Sequence, residues 1–464
     1  MRILFAVYSR SQWTLPREIT RRLHAVGDTV DVVWFGPKGA AELEVAASAA
    51  QLGCRFYAHE TYNDAVALTA LSTPLIQVSA AVLRDAPLPE DHPYRILVRR
   101  QIAGAQTILR EAAPNLVVVC EDGPGGDNAL IEAARCAGLP VLVVPFGIGE
   151  SHDYDLFLAD KAHENCLNRV PDDAVGQFLY RHGRHWIRST AMGEALLFPA
   201  EFTVARLLEG LDLPRPWAVQ GGNADKIAVE SPAMMRHFER EQIPECKLSL
   251  VGTVYCDVLG DVFAQDAGSA SAYQAQTPIR SDQILLLISL PPSFDATRAT
   301  HSEFARYEDM CEALLSLCTG LEGVNVTVSV HPNSDAGARA AIERTGARIS
   351  DQWLVSLIAQ HDIFLTTFSS TIRWAIVARK PVVNYDMYAF GLPTYRDVPG
   401  VSTVRTLAGV EARLRALCSD LGTYREAAQA QRRVAADWGC PDRENFVRLR
   451  TLMAQLVGNP VSTY

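Results

Sequence analysis

The sequence lacks the signatures of several large enzyme classes. It has no GxxxxGK(S/T) phosphate loop, no HExxH zinc motif and no GxSxG nucleophile elbow. Residues 8–11 (Tyr-Ser-Arg-Ser) follow the first apolar run, where a dinucleotide-binding protein would carry GxGxxG. P-loop enzymes and dinucleotide oxidoreductases are therefore disfavoured. Nothing in the sequence requires a divalent ion, and we expect neither a metal nor a cofactor.

Paired cysteines and long apolar runs are also missing. The ten cysteines are scattered and none forms a CxxC pair, so we expect reduced thiols instead of a disulfide framework or a zinc knuckle. No run approaches the roughly 18 apolar residues of a membrane helix. Residues 1–8 contain only a short apolar run, which predicts a buried first strand and not a secretory signal. These patterns indicate a soluble, cytoplasmic protein.

An excess of positive charge is the third absence. Lys and Arg total 43 against 53 Asp and Glu, for a net charge of −10, so we expect no nucleic-acid partner. Residues 180–188 (Tyr-Arg-His-Gly-Arg-His-Trp-Ile-Arg) concentrate cations and aromatic rings locally. This segment has three interpretations: a peripheral contact with the inner face of the membrane, a site for an acidic acceptor glycan, or a solvated helix face.

What the sequence does contain is a repeated alternation of apolar runs and helical patterns. The runs are residues 3–7, 30–34, 54–57, 116–120, 141–146, 227–229 and 248–251, and then 284–290, 326–330, 363–367 and 382–385. Continuous apolar strands between amphipathic helices predict parallel sheets covered on both faces. A chain of 464 residues is long enough for two such domains. We therefore predict an α/β protein with two Rossmann-like, doubly wound domains facing a cleft.

A small, polar, weakly patterned stretch separates the two series of strands. It predicts an N-terminal domain over residues 1–262, a linker over 263–282 and a C-terminal domain over 283–430. Residues 431–464 form a helical segment that either ends the second domain or crosses back to the first.

The first chemical motif follows the apolar run at residues 116–120. It reads Cys-Glu-Asp-Gly-Pro-Gly-Gly-Asp-Asn over residues 120–128. Consecutive side chains diverge at the end of a strand, so either Glu121 or Asp122 is expected to project over the ligand-binding edge. A carboxylate there can act as a general base if burial or its charged neighbour raises its pKa. The alternative is an acidic loop in which Asp127 or Asn128 only caps the next helix.

Two more motifs end strands of the second half. His331 comes just before Pro332, which holds it in an extended conformation at the strand tip, where it can donate to a phosphate or act as an acid. Residues 369–371 (Ser-Ser-Thr) occupy a turn from a strand into a helix, where unpaired N–H groups favour an anion. The turn can bind phosphate or simply cap the helix, and Arg373 can add charge or point to solvent.

The chain resembles the GT-B superfamily, which contains nucleotide-sugar glycosyltransferases and UDP-N-acetylglucosamine 2-epimerases. The resemblance lies in residues 224–230, residues 247–252 with Asp257, and residues 331–333 (His-Pro-Asn). The epimerases carry an acidic turn after the last donor strand and a His-Arg-rich turn after the first strand of the second domain. This chain has residues 369–371 (Ser-Ser-Thr) and 290–293 (Leu-Pro-Pro-Ser) there. The three motifs together are instead similar to those of bacterial sialyl-, polysialyl- and Kdo-type transferases.

That resemblance implies an inverting, metal-independent transfer of a sugar, such as a sialic-acid-like or Kdo-like sugar from CMP, to a glycan or lipid-linked acceptor. It makes Glu121 or Asp122 the base and His331 the acid or phosphate donor. The donor-binding set implied is Gly123, Ser289, Pro332, Asn333, Ser369, Ser370 and Thr371. Asp351 and Asp386 are candidates for holding the donor ribose.

Other activities remain open on the sequence alone. A nucleotide-sugar epimerase or hydrolase, a CDP-glycerol-type phosphotransferase and a non-catalytic nucleotide- or glycan-binding protein all fit parts of the pattern. The donor base and sugar, the acceptor, the linkage and the oligomeric state are not specified.

Overall fold

The computed structural model describes residues 1–59, 76–267, 283–293, 298, 300–332, 334 and 336–458. The predicted alternation of strands and helices is confirmed. Within these residues the strands are β1 Arg2–Val7, β2 Thr29–Trp34, β3 Phe56–Ala58, β4 Leu116–Val119, β5 Val141–Val143, β6 Asn168–Arg169, β7 Arg188–Thr190, β8 Gly193–Leu196, β9 Lys226–Val229, β10 Leu248–Leu250, β11 Ile284–Ser289, β12 Val324–Ser329, β13 Arg348–Ile349, β14 Ile363–Thr366, β15 Val382–Tyr385 and β16 Val401–Val404.

The α-helices of the described residues connect these strands. They are α1 Arg10–Ala25, α2 Ala40–Gln51, α3 Ala80–Arg84, α4 Pro93–Ala112, α5 Asn128–Cys136, α6 Ser151–His163, α7 Ala174–His182, α8 Ala200–Leu208, α9 Pro232–Arg240, α10 Val254–Ala267, α11 Tyr307–Thr319, α12 Ala336–Arg344, α13 Leu354–Gln360, α14 Ile372–Val377, α15 Leu407–Ser419, α16 Leu421–Trp438 and α17 Asn445–Gly458. None of them is long and apolar enough to cross a membrane.

The chain divides into two compact units. The first contains residues 1–229, 235–250 and 449–464, and the second contains residues 230–234 and 251–448. The second unit thus begins before the predicted linker of residues 263–282, of which 268–282 lie outside the described residues. The reason is helix α10, whose Tyr255 packs its ring against Trp374 and Trp353 of the second unit, with centroids 4.0 and 5.2 Å apart. Of the predicted terminal segment, residues 431–448 belong to the second unit and the described residues 449–458 to the first.

The first unit is built on a parallel sheet of seven described strands in the order β10-β9-β5-β4-β1-β2-β3. Its central strands are buried along nearly their whole length, as the continuous apolar runs predicted. A β-α-β crossover is almost always right-handed, so strands added on both sides of β1 bring helices to both faces of the sheet. This unit therefore has the doubly wound arrangement.

The second unit repeats this order with six described strands, β13-β12-β11-β14-β15-β16, all parallel. Buried side chains of the strands and of helices α11 and α15 form its core. The short strands β13 and β16 were not predicted, because their residues are partly exposed and give no apolar run. The fold class predicted for each domain is confirmed.

The basic segment of residues 180–188 is divided between the end of α7, a 3₁₀ turn and strand β7. Strand β7 belongs to a small antiparallel sheet, β6-β8-β7, that was not predicted. The cations of the segment face carboxylates of the first unit: Arg181 and His182 face Asp85, Arg184 faces Glu194, His185 faces Asp212, and Arg188 faces Asp155. Much of the positive charge of the segment is therefore neutralised locally.

Candidate functional site

In both sheets, the direction in which strands are added reverses at the first strand. Strands β2 and β4 flank β1 in one sheet, and β12 and β14 flank β11 in the other. Open parallel sheets bind ligands at the carboxyl ends of the strands beside such a reversal, because the loops diverge there and leave a crevice. The predicted site residues lie at or just beyond the ends of β4, β11, β12 and β14. They are therefore found at the edge of each sheet that is formed by the carboxyl ends of its strands.

Glu121 lies two residues beyond β4. Its carboxylate rests against Gly125, where a Cβ atom would collide with Oε1. No described residue donates a hydrogen bond to this carboxylate, and neither oxygen is sealed from solvent. Burial, followed by the charge of Asp122, raises the pKa of Glu121 to about 7. An unbonded carboxylate with this pKa is suited to accept a proton near neutral pH.

Asp122 has a different environment, although it is the next residue. Its side chain is completely buried. Oδ1 accepts the backbone N–H of Gly221 at 2.8 Å, and Oδ2 accepts that of Ala224 at 3.1 Å. Since both oxygens are bonded to the backbone and shielded from solvent, Asp122 cannot reach a substrate. Of the two residues left open by the sequence, Asp122 is thus the structural one.

The turn after Glu121 is locked to residues 217–224. Gly123 N–H donates to the Val219 carbonyl at 3.0 Å, and the Gln220 amide donates to the Cys120 carbonyl at 3.4 Å. A Cβ atom at Gly123 would collide with the Val219 carbonyl, and one at Gly222 would strike the Asp122 carbonyl. This close approach gives Gly123, which was predicted to bind the donor, a packing role. It also makes both segments one rigid element that supports Glu121.

The helix-cap role proposed for Asp127 is confirmed. Its Oδ1 accepts the N–H of Leu130 at 3.0 Å at the start of α5. In the acidic motif, Asp127 thus caps a helix and Asp122 is a buried anchor. Glu121 is the carboxylate that has no hydrogen-bond partner among the described residues.

Hydroxyl side chains line the corresponding edge of the second sheet. The strand register sets Ser289 at the end of β11 opposite both Ser329 of β12 and Thr366 of β14. Ser289 is partly exposed, whereas the Thr366 hydroxyl is buried and has no hydrogen-bond partner among the described residues. Sequence reasoning identified Ser289 but not the other two, because single Ser and Thr residues within apolar strands give no distinctive signal.

His331 lies two residues beyond β12, at the same edge. It is half-buried, and burial lowers its pKa to about 4, so the imidazole is neutral at neutral pH. The His331 carbonyl accepts the Ser334 N–H at 3.0 Å, which closes a tight turn at Pro332. Of the two roles predicted for His331, a neutral hydrogen-bond donor matches this pKa better than an acid. Asn333 lies outside the described residues.

The predicted hydroxyl turn connects β14 to α14. Phe368 begins it with a φ of 37°, a left-handed conformation that costs a non-glycine residue about 1–3 kcal/mol. The Ser369 hydroxyl bonds to the Thr371 hydroxyl at 2.8 Å and accepts the Thr371 N–H at 3.2 Å. The Ser370 hydroxyl is not bonded to any described residue. Ser369 therefore shapes the turn, and Ser370 is available to a ligand.

Asn384 on the neighbouring strand β15 holds this turn in place. Its fully buried side chain accepts the Phe368 N–H at 2.9 Å and donates to the Thr403 hydroxyl at 3.1 Å. Sequence reasoning missed Asn384, since it lies inside an apolar strand with no chemical motif around it.

Arg373 has neither of the roles considered for it. It is 1% exposed, and its Nε donates to Glu230 Oε2 at 2.7 Å. Its Nη1 donates to the Ser370 carbonyl at 2.8 Å. Arg373 therefore holds the hydroxyl turn through the Ser370 carbonyl, as part of a buried ion pair, and does not add charge at the surface.

The candidates for the donor ribose are not supported. Asp351 is largely exposed and pairs with Arg339 at 3.2 Å. Asp386 is buried, and its carboxylate accepts the N–H groups of Phe390 and Gly391 at 2.8 and 3.0 Å. In the described part of the chain, no group of three or more His, Cys, Asp or Glu residues is arranged to hold a metal ion.

No protein-family model matches the sequence, and no curated protein is significantly similar to it. Solved structures do match over nearly the whole chain. UDP-GlcNAc 2-epimerase from Neisseria meningitidis, bound to UDP-GlcNAc, is 14% identical with a TM-score of 0.52, covering 98% of this chain and 100% of its own. CalG4, the calicheamicin glycosyltransferase, is 15% identical with a TM-score of 0.54, covering 100% and 99%. A complex of MnaA from S. aureus with UDP is 13% identical with a TM-score of 0.53, covering 100% and 99%.

These similarities define the class of fold. Two parallel-sheet α/β units, with neighbours among glycosyltransferases and 2-epimerases, constitute the GT-B fold. At this level of identity the similarity concerns the fold alone, and both kinds of enzyme share it. The assignment of an activity therefore depends on the residues at the two sheet edges.

Proposed function

We propose that this protein is a nucleotide-sugar-dependent glycosyltransferase in which Glu121 is the catalytic base. The observation that carries the proposal is the contrast between Glu121 and Asp122. One carboxylate is fixed to two backbone N–H groups, whereas the other has no bonded partner among the described residues and a pKa raised to about 7. A transferase that activates an acceptor hydroxyl needs such a group.

The edge of the second sheet supports the donor half of the proposal. The Ser370 hydroxyl, the partly exposed Ser289 and the neutral His331 supply hydrogen-bond donors at the ends of three adjacent strands. Hydrogen-bond donors held in position stabilise the charge that develops on a departing phosphate. The choice of CMP, UDP or CDP as the nucleotide, and of a sialic-acid-like or Kdo-like sugar, belongs to the proposal and follows from the motif resemblance.

The proposed reaction is a single displacement. The acceptor hydroxyl gives its proton to Glu121 while its oxygen attacks the anomeric carbon of the donor sugar. The bond between that carbon and the phosphate oxygen breaks, and the nucleotide leaves with the bonding electron pair. His331 and Ser370 donate hydrogen bonds to the departing phosphate. Attack from the side opposite the leaving group inverts the anomeric centre.

A thermal-shift screen of CMP, UDP and CDP tests nucleotide binding. We expect one of them, at about 100 times its dissociation constant, to raise the free energy of unfolding by about 2.7 kcal/mol. His331→Ala should weaken that nucleotide by about 10- to 100-fold, since hydrogen bonds to charged groups contribute about 1.5–3 kcal/mol. His331→Gln, which keeps a donor, should recover part of the affinity.

The products formed from a sugar linked to the same nucleotide distinguish a transferase from the other activities considered. Release of free sugar without an acceptor would indicate a hydrolase, and inversion at C2 would indicate an epimerase. Transfer of a phosphorylated alcohol would indicate a phosphotransferase. If no nucleotide or nucleotide sugar binds, and His331→Ala changes nothing, the transferase proposal fails.

We expect Asn384→Ala to weaken nucleotide binding by about tenfold, because Phe368 N–H loses its acceptor and the left-handed turn relaxes. The nucleotide found in the screen, titrated by isothermal calorimetry, measures this. Thr403→Val is the matched control, since it removes the other partner of Asn384 and leaves the bond to Phe368 intact. Equal losses in both variants would show that Asn384 acts only through general stability.

A further inference from the structure

We propose that the edge of the first sheet around Glu121 binds a neutral oligosaccharide acceptor, whose sugar rings stack on aromatic side chains on both sides of the carboxylate. The inference rests on the proposed transferase function, and it names the class of acceptor. The residues involved are Tyr8, Phe35, Glu121, Tyr154, Arg188 and Trp217, all of which belong to the first unit.

One group of side chains comes from α6, β7 and the loop anchored by Asp122. The rings of Tyr154 and Trp217 meet edge-to-face with centroids 5.9 Å apart, and the Arg188 guanidinium lies 5.2 Å from the indole centroid. Both rings are partly exposed. Burial and then the charge of Glu121 raise the pKa of Tyr154, which means that the phenol lies within electrostatic range of the base. Trp217 also lies two residues before Val219, whose carbonyl accepts the Gly123 N–H at 3.0 Å, so this cluster borders the turn of Glu121.

The second group lies on the strands at the other side of β4. The register of Ala6 opposite Val119 puts Tyr8, beyond the end of β1, level with Glu121. Phe35 follows β2, and its ring centroid is 5.5 Å from that of Tyr8. Tyr8 is 47% exposed, although its backbone N–H is held by Gln12 Oε1 at 2.7 Å. A fixed backbone thus presents an exposed aromatic ring at the edge of the sheet.

The combination of rings and polar groups indicates a carbohydrate. A pyranose ring has an apolar face of C–H groups and a rim of hydroxyls, so it can stack on an aromatic ring while its rim bonds to polar side chains. Tyr and Trp provide this contact area with little loss of conformational entropy. Because aromatic rings lie on both sides of Glu121, the arrangement suits an acceptor of at least two sugar units.

The charges at the edge favour a neutral acceptor. Arg188, whose guanidinium lies over the Trp217 ring, is paired with Asp155 at 2.7 Å, so its charge is compensated. An acidic sugar would have to compete with Asp155 and would also approach the Glu121 carboxylate. Hydroxyl groups, by contrast, can bond to the guanidinium and to the carboxylate of this pair without disrupting it.

A glycan array of neutral and acidic mono- and oligosaccharides, probed with the full chain, tests the proposal. We expect binding to neutral glycans of two or more sugars, and a loss of about tenfold or more in Trp217→Ala and in Tyr8→Ala. Tyr180→Ala is the control, because Tyr180 is also 47% exposed but bonds to Glu194 of the small antiparallel sheet. It should bind as the unmodified protein does.

Three results would overturn the proposal: no array spot above background, equal binding of monosaccharides, or undiminished binding in both aromatic variants. The nucleotide screen is independent of this measurement. Nucleotide binding without glycan binding would remove the acceptor proposal and leave the transferase proposal intact. Glycan binding without nucleotide binding would remove the transferase proposal, and with it the role of the glycan as an acceptor, and would indicate a glycan-binding protein.

Discussion

Glu121→Gln is expected to lower the rate of sugar transfer by about 10²- to 10⁴-fold, the usual contribution of a general base. The substitution keeps the size of the side chain and removes only its ability to accept the proton. Nucleotide affinity, which depends on the second unit in our proposal, should be unchanged. Initial rates at saturating donor and acceptor, compared with thermal shifts by the nucleotide, measure both.

The pH dependence of the same variant has a definite sign. In the unmodified protein the transfer rate should rise with pH through about 7, where Glu121 loses its proton, and the residual rate of Glu121→Gln should lack this step. His331, whose pKa is lowered to about 4, adds no further step near neutral pH. A rate profile of the unmodified protein that is flat between pH 5 and pH 9 would contradict the role of Glu121.

Glu121→Gln should also stabilise the protein at alkaline pH. A carboxyl group whose pKa rises on folding costs no stability below its unfolded pKa, and costs most above its folded pKa. The advantage of the variant should therefore grow from near zero at pH 4.5 to about 1–3 kcal/mol once the pH exceeds 7, after a reduction for partial exposure. Urea unfolding at several pH values measures this difference.

Asp122→Asn is the matched control for this prediction. Its amide would present a donor to a backbone N–H, either that of Gly221 or that of Ala224, at a cost of about 1–3 kcal/mol at every pH. We thus expect Glu121→Gln to fold well but to lose activity, and Asp122→Asn to be destabilised. Reversal of the two phenotypes would show that Asp122 is the base.

Arg373→Leu is expected to destabilise the second unit by about 3–5 kcal/mol, because it leaves the buried Glu230 carboxylate without its partner. For a unit of this size, the loss corresponds to a fall in melting temperature of about 10 °C. Burial already raises the pKa of Glu230 despite the opposing effect of Arg373. The variant should therefore lose more stability as the pH rises, which differential scanning calorimetry at two pH values would show.

The double variant Glu230→Gln with Arg373→Leu tests the cause of this loss. Removing both charges should restore most of the stability, since the uncompensated carboxylate is gone. We expect weaker nucleotide binding in both the single and the double variant, because the Ser370 carbonyl lacks its Arg373 donor in each. A double variant as unstable as Arg373→Leu would mean that packing, and not charge, accounts for the effect.

The fold was largely predictable because parallel strands buried on both faces have to be continuously apolar. Strands β1, β4, β11 and β14 are runs of this kind, and the structure contains all four. The short antiparallel sheet and β16 were missed for the opposite reason. Most of their residues are polar or partly exposed, so tertiary pairing and not local pattern determines them.

The site was predictable to the level of its motifs but not of its individual roles. Glu121 and Asp122 are indistinguishable in sequence, and only the backbone of residues 217–224, about a hundred positions away, separates them. Asn384 and Arg373 act through contacts with the hydroxyl turn that no spacing reveals. Sequence patterns report what lies nearby in the chain, whereas these roles depend on neighbours from other strands.

The interlocking of residues 121–126 with residues 217–224 also limits how the proposed catalytic base could be moved into another protein. A designer who moved only the acidic turn into another parallel-sheet protein would leave the Asp122 carboxylate buried without its two backbone donors. The recipient protein would then carry two ionisable carboxyl groups, Glu121 and Asp122, without a fixed orientation, and the proposed base would no longer be distinct from its neighbour. A transfer would therefore have to include both peptides, residues 121–126 and 217–224. They are joined by the buried Asp122 and by glycines that allow their backbones to pack closely.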